Sequence, residues 1–236
     1  MSQLKPVVLL PTYNEIDNLR KVVESINEAA AVDILIIDDN SPDATGELAD
    51  ALAGLYPHVF TLHRATKSGL GKAYVSGFHW ALAREYTHII QMDADLSHPP
   101  EVIPKLLELS QQHGMVLGSR WVQGGGTKNW SKIRQWISQS GSLYARKLLQ
   151  IPIQDATGGF KCIRREVLET INLDGLQSAG YVFQIEVTYR AIQAGFSVYE
   201  TPIIFTERQL GESKMSANIV VEAIARVPML RWSSRP

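Results

Sequence analysis

The sequence Thr87–Pro100, THIIQMDADLSHPP, carries the strongest signal for both architecture and chemistry. Its apolar run HIIQM predicts a buried strand of a parallel sheet, and the two prolines that follow end that strand. Asp93 and Asp95 come directly after the run. Ligands of open α/β sheets bind beyond the carboxyl ends of strands, and a carboxylate pair there suits a hard divalent cation that holds a phosphorylated substrate. A solvated turn whose acids cap the next helix is the alternative.

Apolar runs of strand length alternate with helical patterns on both sides of this stretch. The predicted strands are 6–10, 33–37, 59–62, 88–92 and 115–118, and the predicted helices are 16–26, 44–55, 73–84 and 101–112. This alternation predicts an α/β fold: a Rossmann-like, mostly parallel sheet flanked by helices and connected by right-handed crossovers. We expect a single catalytic domain over 1–215, followed by a C-terminal amphipathic helix over 216–236 that is not a separate domain.

The regular alternation stops after Trp121. Residues 123–127 are rich in glycine and predict a flexible loop, and 131–150 predict a basic amphipathic helix. Helices at 165–171 and 181–194, a strand at 197–206 and a last amphipathic helix at 217–232 complete the pattern. A basic amphipathic helix is either a membrane-surface element or an ordinary helix packed on its own domain.

Composition excludes several classes of protein. The chain has 236 residues, is 45% hydrophobic and carries a net charge of −1, which argues against a nucleic-acid partner. A single cysteine, Cys162, excludes a disulfide framework and a four-thiolate zinc site and fits a reducing compartment. No signal segment is visible, and no window approaches the roughly 20 apolar residues of a membrane-spanning helix.

The predicted strand ends bring polar side chains to one edge of the sheet. Glu15, Asp39, the Asp93/Asp95 pair and Arg120 each lie at or just beyond the carboxyl end of a predicted strand, so we expect them to line one crevice. An adjacent tyrosine offers a stacking face for a base, and a carboxylate accepts hydrogen bonds from ribose hydroxyls. The first turn, PTYNE, lacks the glycines of a dinucleotide site, and no Walker lysine motif occurs.

Several motifs together resemble a known family. They occur in the order PTYNE, IIDDNSPDATGE, GLGKAY, MDADLSHPP, GSRW, DATGGFK and RQLGESKM, and extend from about Pro6 to Met215. This combination resembles the family 2 glycosyltransferases of the GT-A fold, and within them the polyprenyl-phosphate (dolichol-phosphate) mannose synthases. Any one motif is weak evidence, because a DxD sequence is common by chance, whereas the ordered set is specific.

The resemblance implies a role for each matching position. The guanosine part of GDP-mannose would contact Pro11, Tyr13, Glu15, Ile37 and Asp39. The nucleotide sugar would also contact Asp93, Ala94, Asp95, Arg120, Arg208 and Lys214. Mg²⁺ or Mn²⁺ would be held by Asp93, Asp95 and Ser97, the last at a position where some members have glutamine. The acceptor phosphate would contact Arg120, Arg134 and Ser138, and catalysis would depend on Asp93, Asp95, Arg120 and Arg208.

The resemblance also implies a reaction: inverting, metal-dependent transfer of mannose to a polyprenyl or dolichyl monophosphate. A phosphate monoester has a second pKa of about 6, so it is mostly dianionic at neutral pH and is already a nucleophile. A general base is then unnecessary, which agrees with the expectation that no histidine lies at these strand ends. The role of Asp155 stays open between orienting the loop or the sugar and forming a structural turn.

A lipid acceptor implies a peripheral enzyme in the cytoplasm, on the cytosolic face of a membrane. The membrane surface is then a partner through helices 131–150 and 217–232, and a small membrane-anchoring subunit is left open as a further partner. Two rival interpretations remain. One is a polyprenyl-phosphate glucosyltransferase that uses UDP-glucose, or a soluble transferase with another acceptor; the other is a catalytically silent nucleotide-sugar binding protein.

Overall fold

A seven-stranded sheet forms the centre of the molecule, which is described as a computed structural model for residues 4–176, 178, 180–207 and 226–231. The strands are β1 (Pro6–Thr12), β2 (Asp33–Asp38), β3 (Val59–His63), β4 (His88–Gln91), β5 (Met115–Ser119), β6 (Gly126–Lys128), β7 (Lys161–Arg164), β8 (Val198–Pro202) and β9 (Ile204–Thr206). The helices are α1 (Leu19–Ala29), α2 (Thr45–Leu55), α3 (Leu70–Leu82), α4 (Ile103–Ser110), α5 (Lys132–Leu149), α6 (Arg165–Thr170) and α7 (Gly180–Gln193). One turn of 3₁₀ helix, Pro100–Val102, precedes α4.

Helices cover both faces of the sheet, because its central strands are apolar on both sides. Along β1, Val8 and Leu10 belong to a core cluster shared with α1, α2 and α4, whereas Val7 and Leu9 belong to a second cluster shared with α3, α6 and α7. Strands buried on both faces appear in the sequence as continuous apolar runs. The predicted α/β class and helix-flanked sheet are therefore confirmed.

The strand order of the main sheet is β3-β2-β1-β4-β7-β5-β8. All neighbouring pairs are parallel except those of β7, which runs antiparallel between β4 and β5. The order reverses between β1 and β4, and in open α/β sheets such a switch point opens a crevice at the carboxyl ends of the strands. The PTYNE sequence begins in the last two residues of β1 and continues into the loop after it, and DADLS lies in the loop after β4.

The second half of the chain differs from its prediction in three places. The segment 161–164, for which the sequence pattern predicts no strand, is β7, and part of the predicted flexible loop is β6. The predicted strand 197–206 divides into β8 in the main sheet and β9, which pairs with β6. The break follows Pro202, which has no N–H to continue a ladder, and the next N–H, that of Ile203, donates to the Ser119 carbonyl.

Candidate active site

A cleft of about 270 Å³ lies at the switch point of the sheet. Its walls come from the loops after β1, β2 and β4, the start of α3, the segment before β7, and α5 and α7. The predicted site residues that line it are Pro11, Tyr13, Glu15, Asp39, Asp93, Ala94, Asp95, Arg120 and Arg134. Side chains that are far apart in the sequence thus meet at one edge of the sheet.

The loop after β1 is fixed by side chains from the β2–α2 connection. The backbone N–H of Glu15 donates to Thr45 Oγ1 at 3.0 Å, and that of Ile16 donates to Asp43 Oδ2 at 3.3 Å. Thr45 in turn donates its hydroxyl to Asp43 Oδ1 at 2.6 Å. Burial alone would raise the pKa of Asp43, but these hydrogen bonds prevail and hold the pKa below its ordinary value. The SPDAT sequence is therefore a support for the first loop.

The predicted nucleotide residues lie beside two cations. Asp39 is 5% exposed and accepts a hydrogen bond from Arg64, while the Lys67 ammonium lies 3.6 Å from the centroid of the Tyr13 ring. Lys67 lines the cleft, and neither Arg64 nor Lys67 is among the predicted site residues. The carboxylate and the aromatic face expected to meet a nucleoside are thus both adjacent to positive charge.

The turn that carries the carboxylate pair is tightly constrained. Asp95 is 8% exposed and accepts from the Ser97 N–H at 3.1 Å, and Leu96 between them has a left-handed φ of 61°. A branched residue rarely adopts this conformation, which marks the turn as locally strained. Tyr74 lies fully buried beneath the turn and donates its hydroxyl to the Met92 carbonyl. Burial, with the nearby Asp93 and Asp95 charges, raises the pKa of Tyr74 well above its ordinary value.

The expectation that no histidine lies at these strand ends is wrong, because His98 lines the cleft. Its ring is 3% exposed and stacks on Phe160 with centroids 5.1 Å apart. Nδ1 accepts from the Asp93 backbone N–H at 3.0 Å, so the proton of the neutral ring lies on Nε2. Burial lowers the pKa of His98. The ring therefore has no lone pair directed at a substrate and orients the Asp93 backbone.

Arg120 is held by a buried ion pair. Its Nε and Nη2 donate to the two carboxylate oxygens of Asp155 at 2.7 and 2.6 Å, and its backbone N–H donates to Oδ2 at 2.9 Å. Asp155 is fully buried and Arg120 is 6% exposed. Glu200 on β8 accepts from the backbone N–H groups of Gln154 and Asp155. Asp155 thus fixes the guanidinium that lines the cleft.

The α5 side of the cleft is formed by a second arginine. Arg134 pairs with Glu207, and its guanidinium carbon lies 4.0 Å from the centroid of the Trp130 ring. The side chains of this pair are 19% and 35% exposed, in contrast to the buried Arg120–Asp155 pair. The second cation is therefore more accessible from the solvent.

Three predicted site residues do not line the cleft. Ile37 is fully buried in the core, where Gly77 of α3 packs closely against it. Ser97 is 2% exposed and reaches the carboxylate pair through its backbone N–H to Asp95. Ser138 lies one turn after the α5 arginine but outside the cleft lining. The predicted contacts of Arg208 and Lys214 lie outside the described residues, as does most of the predicted last helix, of which Arg226–Arg231 is described as helical.

The acidic pair fits a divalent cation. Magnesium sites in nucleotide enzymes use one or two carboxylates and complete the octahedral shell with substrate phosphates and water. Asp93 and Asp95 supply two carboxylates at the mouth of a turn, and the Asp93 side chain is 36% exposed. Among the described residues no group of three or more acidic, histidine or cysteine side chains is gathered for a metal, so the donor set suits an ion that arrives with a diphosphate.

The outer face of α5 is apolar and exposed. Ile133, Trp136 and Leu143 are 73%, 70% and 48% exposed, whereas Ala145 and Leu149 on the opposite face are buried against α7. The helix is therefore packed on its own domain along one face and unpartnered within the described chain along the other. No helix in the described part of the chain has the length and apolarity needed to span a bilayer.

The sheet topology and the acidic turn define a glycosyltransferase of the GT-A type, and comparison with known proteins gives the family. Residues 7–171 match the model "Glycosyl transferase family 2", and the chain belongs to that family. The resemblance seen in the sequence motifs is thereby confirmed.

The relatives are more specific. The chain is 45% identical over 230 residues to "Undecaprenyl-phosphate mannosyltransferase" of Micrococcus luteus, covering 97% of this chain and 94% of that protein. It is 47% identical over 234 residues to "Polyprenol monophosphomannose synthase" of Mycolicibacterium smegmatis, covering 98% and 88%.

Solved structures share the fold at low sequence identity. One described as "Crystal Structure of a Mycobacterial Protein" superposes with a TM-score of 0.72 at 15% identity, covering 100% of this chain and 77% of that one. "Mannosyltransferase PcManGT from Pyrobaculum calidifontis in complex with GDP-Man and Mn2+" gives a TM-score of 0.62 at 15% identity, covering 98% and 64%. The GT-A architecture is therefore confirmed.

Proposed function

We propose that this chain transfers mannose from GDP-mannose to a polyprenyl monophosphate, giving a polyprenyl-phosphate mannose and GDP. The observation that carries the proposal is the meeting of Asp93 and Asp95 with the PTYNE loop and Asp39 in one cleft at the switch point. The relatives in Micrococcus luteus and Mycolicibacterium smegmatis are named for a mannosyltransferase and a mannose synthase with undecaprenyl phosphate and polyprenol substrates, which supports the choice of sugar and acceptor.

The nucleoside would bind over the ends of β1 and β2. Tyr13 offers its ring to the base once Lys67 moves from that face, and Asp39 accepts from ribose hydroxyls. The backbone of the first loop is held by Asp43 and Thr45, so the site is preorganised. Preorganisation lowers the entropy cost of binding.

The diphosphate would lie over the end of β4. Asp93 and Asp95 would hold Mg²⁺ or Mn²⁺ there, and the ion when bound neutralises the charge that develops on the departing GDP. A structure in the same fold class contains GDP-Man with Mn²⁺, which supports a divalent ion and leaves the choice between the two metals to experiment. His98 fixes the backbone of Asp93, and Ser97 fixes the carboxylate of Asp95.

The acceptor would enter from the α5 side. Arg134 lines the cleft and is partly exposed, so it can bind a phosphate that approaches from a membrane surface. Arg120 adds a fixed positive charge deeper in the cleft. An oxygen of the acceptor monophosphate forms the new bond to the anomeric carbon, and the bond from that carbon to the bridging β-phosphate oxygen of GDP-mannose breaks, so that this oxygen leaves with GDP. Attack from the opposite side inverts the anomeric centre.

No side chain needs to remove a proton in this reaction. The acceptor is mostly dianionic at neutral pH, and Nδ1 of His98 is already occupied by a backbone N–H. The protein's contribution is then the alignment of two phosphorylated substrates and the placement of positive charge around them.

The exposed apolar face of α5 would rest in the headgroup region of a membrane. Trp136 suits that region because an indole has both an apolar ring and a polar N–H. Lys132, Arg146 and Lys147 are exposed on the same helix and would attract anionic lipids. The enzyme would then act as a peripheral protein on the cytosolic face.

The test is transfer of radiolabelled sugar to a polyprenyl phosphate. With the purified full chain we expect label from GDP-mannose in the lipid fraction, its loss with a chelator, and its recovery with added Mg²⁺ or Mn²⁺. UDP-glucose is assayed in parallel. Transfer from UDP-glucose but not from GDP-mannose would reject the proposed donor, and binding without transfer from either donor would favour the silent binding protein.

A further inference from the structure

Gln184 on α7 lines the cleft, although the sequence motifs gave it no role. Its side chain is 3% exposed and lies beside Lys161, which is fully buried at the start of β7. Lys161 Nζ donates to the Gln184 side-chain oxygen Oε1 at 2.9 Å and to the Gln184 backbone oxygen at 2.7 Å. The buried Lys161 therefore holds both the backbone and the side chain of Gln184 in place.

This contact fixes which way the amide points. Burial lowers the pKa of Lys161 to about 7, and the ammonium form has N–H donors but no lone pair that could accept from an amide NH₂. The atom that faces Lys161 is therefore the amide oxygen, and the NH₂ group must point away from it. Gln184 Nε2 is buried and has no hydrogen-bond partner among the residues that the structure describes. A buried N–H donor that stays unsatisfied destabilises the protein, so a bound acceptor at this place is favoured.

The space in front of this donor is kept open by a glycine. A Cβ added at Gly159 would lie 3.5 Å from Gln184 Nε2, 3.6 Å from His98 Cε1 and 3.9 Å from Asp93 Oδ2. The gap left by the missing side chain thus borders an unused N–H donor on one side and a carboxylate of the acidic pair on the other. Gly159 and Gln184 both line the cleft.

The order of the strands says which part of a nucleotide sugar reaches this gap. Along the edge of the sheet, Asp39 follows β2, Tyr13 follows β1, Asp93 follows β4, and Gly159 precedes the antiparallel β7. Adjacent strands are about 4.8 Å apart. Nucleoside, diphosphate and sugar occupy successive places along a nucleotide sugar. With the nucleoside over β2 and β1 and the diphosphate over β4, the group over β7 is the sugar.

We propose that Gln184 Nε2 donates a hydrogen bond to one hydroxyl of the donor hexose, with Lys161 as the residue that orients the amide. This inference rests on the proposed function and extends it to the sugar subsite. It explains why a lysine is buried beside the acidic turn and why residue 159 carries no side chain. The contact belongs to the sugar alone, so it distinguishes a nucleotide sugar from the bare nucleotide.

The test measures how much the sugar adds to nucleotide binding. Calorimetry with Mn²⁺ gives the affinities of GDP and GDP-mannose for the wild type and for Gln184→Met, which keeps the side-chain length and removes the donor. We expect GDP-mannose to bind about tenfold more weakly to the variant, the size of one hydrogen bond of about 1.4 kcal/mol, with GDP unchanged. A purely structural role would weaken both ligands by the same factor, and that result overturns the inference.

A deoxy-sugar series identifies the contact. Donors that lack the 2-, 3-, 4- or 6-hydroxyl are titrated against both proteins. The penalty of Gln184→Met should vanish for one of them, because that donor has already lost the accepting oxygen. An equal penalty for every deoxy donor would refute a direct hydrogen bond.

Gly159→Ala is the second variant, and it applies if Gln184→Met does not fold. The new methyl group would meet Nε2 only at van der Waals distance, so we expect a normal fold, unchanged GDP affinity and weaker GDP-mannose binding. Unchanged binding of both would refute the gap as the sugar site. If the wild type prefers UDP-glucose, the proposed function fails separately, and the same variants are then compared with UDP and UDP-glucose.

Discussion

The two sides of the cleft are built in opposite ways. On the nucleotide side, loops after β1, β2 and β4 are fixed by hydrogen bonds from buried or partly buried side chains such as Asp43 and Thr45. On the α5 side, Arg134 shares a partly exposed ion pair, and Trp136 extends into solvent. A soluble nucleotide binds best in a preorganised pocket, whereas an acceptor anchored in a bilayer needs a site that is accessible from the membrane surface.

The largest expected effect is on the nucleotide side. Asp95→Asn removes one charge of the acidic pair but keeps an oxygen to accept from Ser97, so the fold should persist. We expect transfer to fall by at least about 100-fold, because several kcal/mol of leaving-group stabilisation depend on the ion. Initial rates with saturating Mn²⁺ measure the loss. Asp174→Asn, at an exposed acid, is the control, and near-wild-type transfer by Asp95→Asn would contradict the metal assignment.

The ion pairs of the two sides should differ in how much each contributes to the free energy of unfolding. Asp155→Asn leaves the buried Arg120 without its counter-charge, and breaking a buried pair in this way costs roughly 3–5 kcal/mol of unfolding free energy. Glu207→Gln breaks the partly exposed pair of Arg134 and should cost less than about 1 kcal/mol. Urea unfolding of both variants gives the comparison. Equal losses would mean that the two walls are equally rigid.

The acceptor side should show its role in kinetics rather than in stability. Arg134→Ala removes a cation from the cleft wall, so we expect the KM for polyprenyl phosphate to rise about tenfold while the KM for GDP-mannose changes by less than about twofold. Lys21→Ala, at an exposed cation on α1 away from the proposed membrane face, is the control. Equal changes in both KM values would make Arg134 a structural residue.

The smallest effect concerns the membrane surface. Trp136 is 70% exposed, so Trp136→Ala should leave the unfolding free energy unchanged and weaken binding to vesicles of anionic phospholipid by roughly tenfold. Co-sedimentation with vesicles measures the partition, and Leu55→Ala on α2 serves as an exposed apolar control. Unchanged partition of the Trp136 variant would remove α5 from the membrane contact.

The sequence predicts the nucleotide side well for a physical reason. Strands β1, β2 and β4 are apolar runs buried on both faces, and polar site residues follow directly at their carboxyl ends. The position of Asp93 and Asp95 can therefore be inferred from local sequence alone. Asp43 belongs to a recognisable motif, but its hydrogen bond to the Ile16 N–H joins two separate loops and is visible only in the structure.

The rest depends on contacts between distant segments. β7 has four residues with two basic side chains and no clear period, so neither its existence nor its antiparallel direction can be deduced locally. The pairs of Asp155 with Arg120, Arg134 with Glu207, and Lys161 with Gln184 join residues that no spacing rule connects. His98 stood in the most informative stretch, but its inward position depends on stacking against Phe160.

Lys161 also makes the protein's stability a function of acidity. Its pKa falls from 10.5 to about 7 on folding, so between these values the unfolded chain binds more protons than the folded one, and the free energy of unfolding rises with pH. The slope for one proton is at most about 1.4 kcal/mol per pH unit. Urea titrations at pH 7, 8 and 9 should show a steeper rise in the wild type than in Lys161→Met, and the difference between the two slopes is the contribution of Lys161. A weakly alkaline medium therefore favours the native state of this transferase.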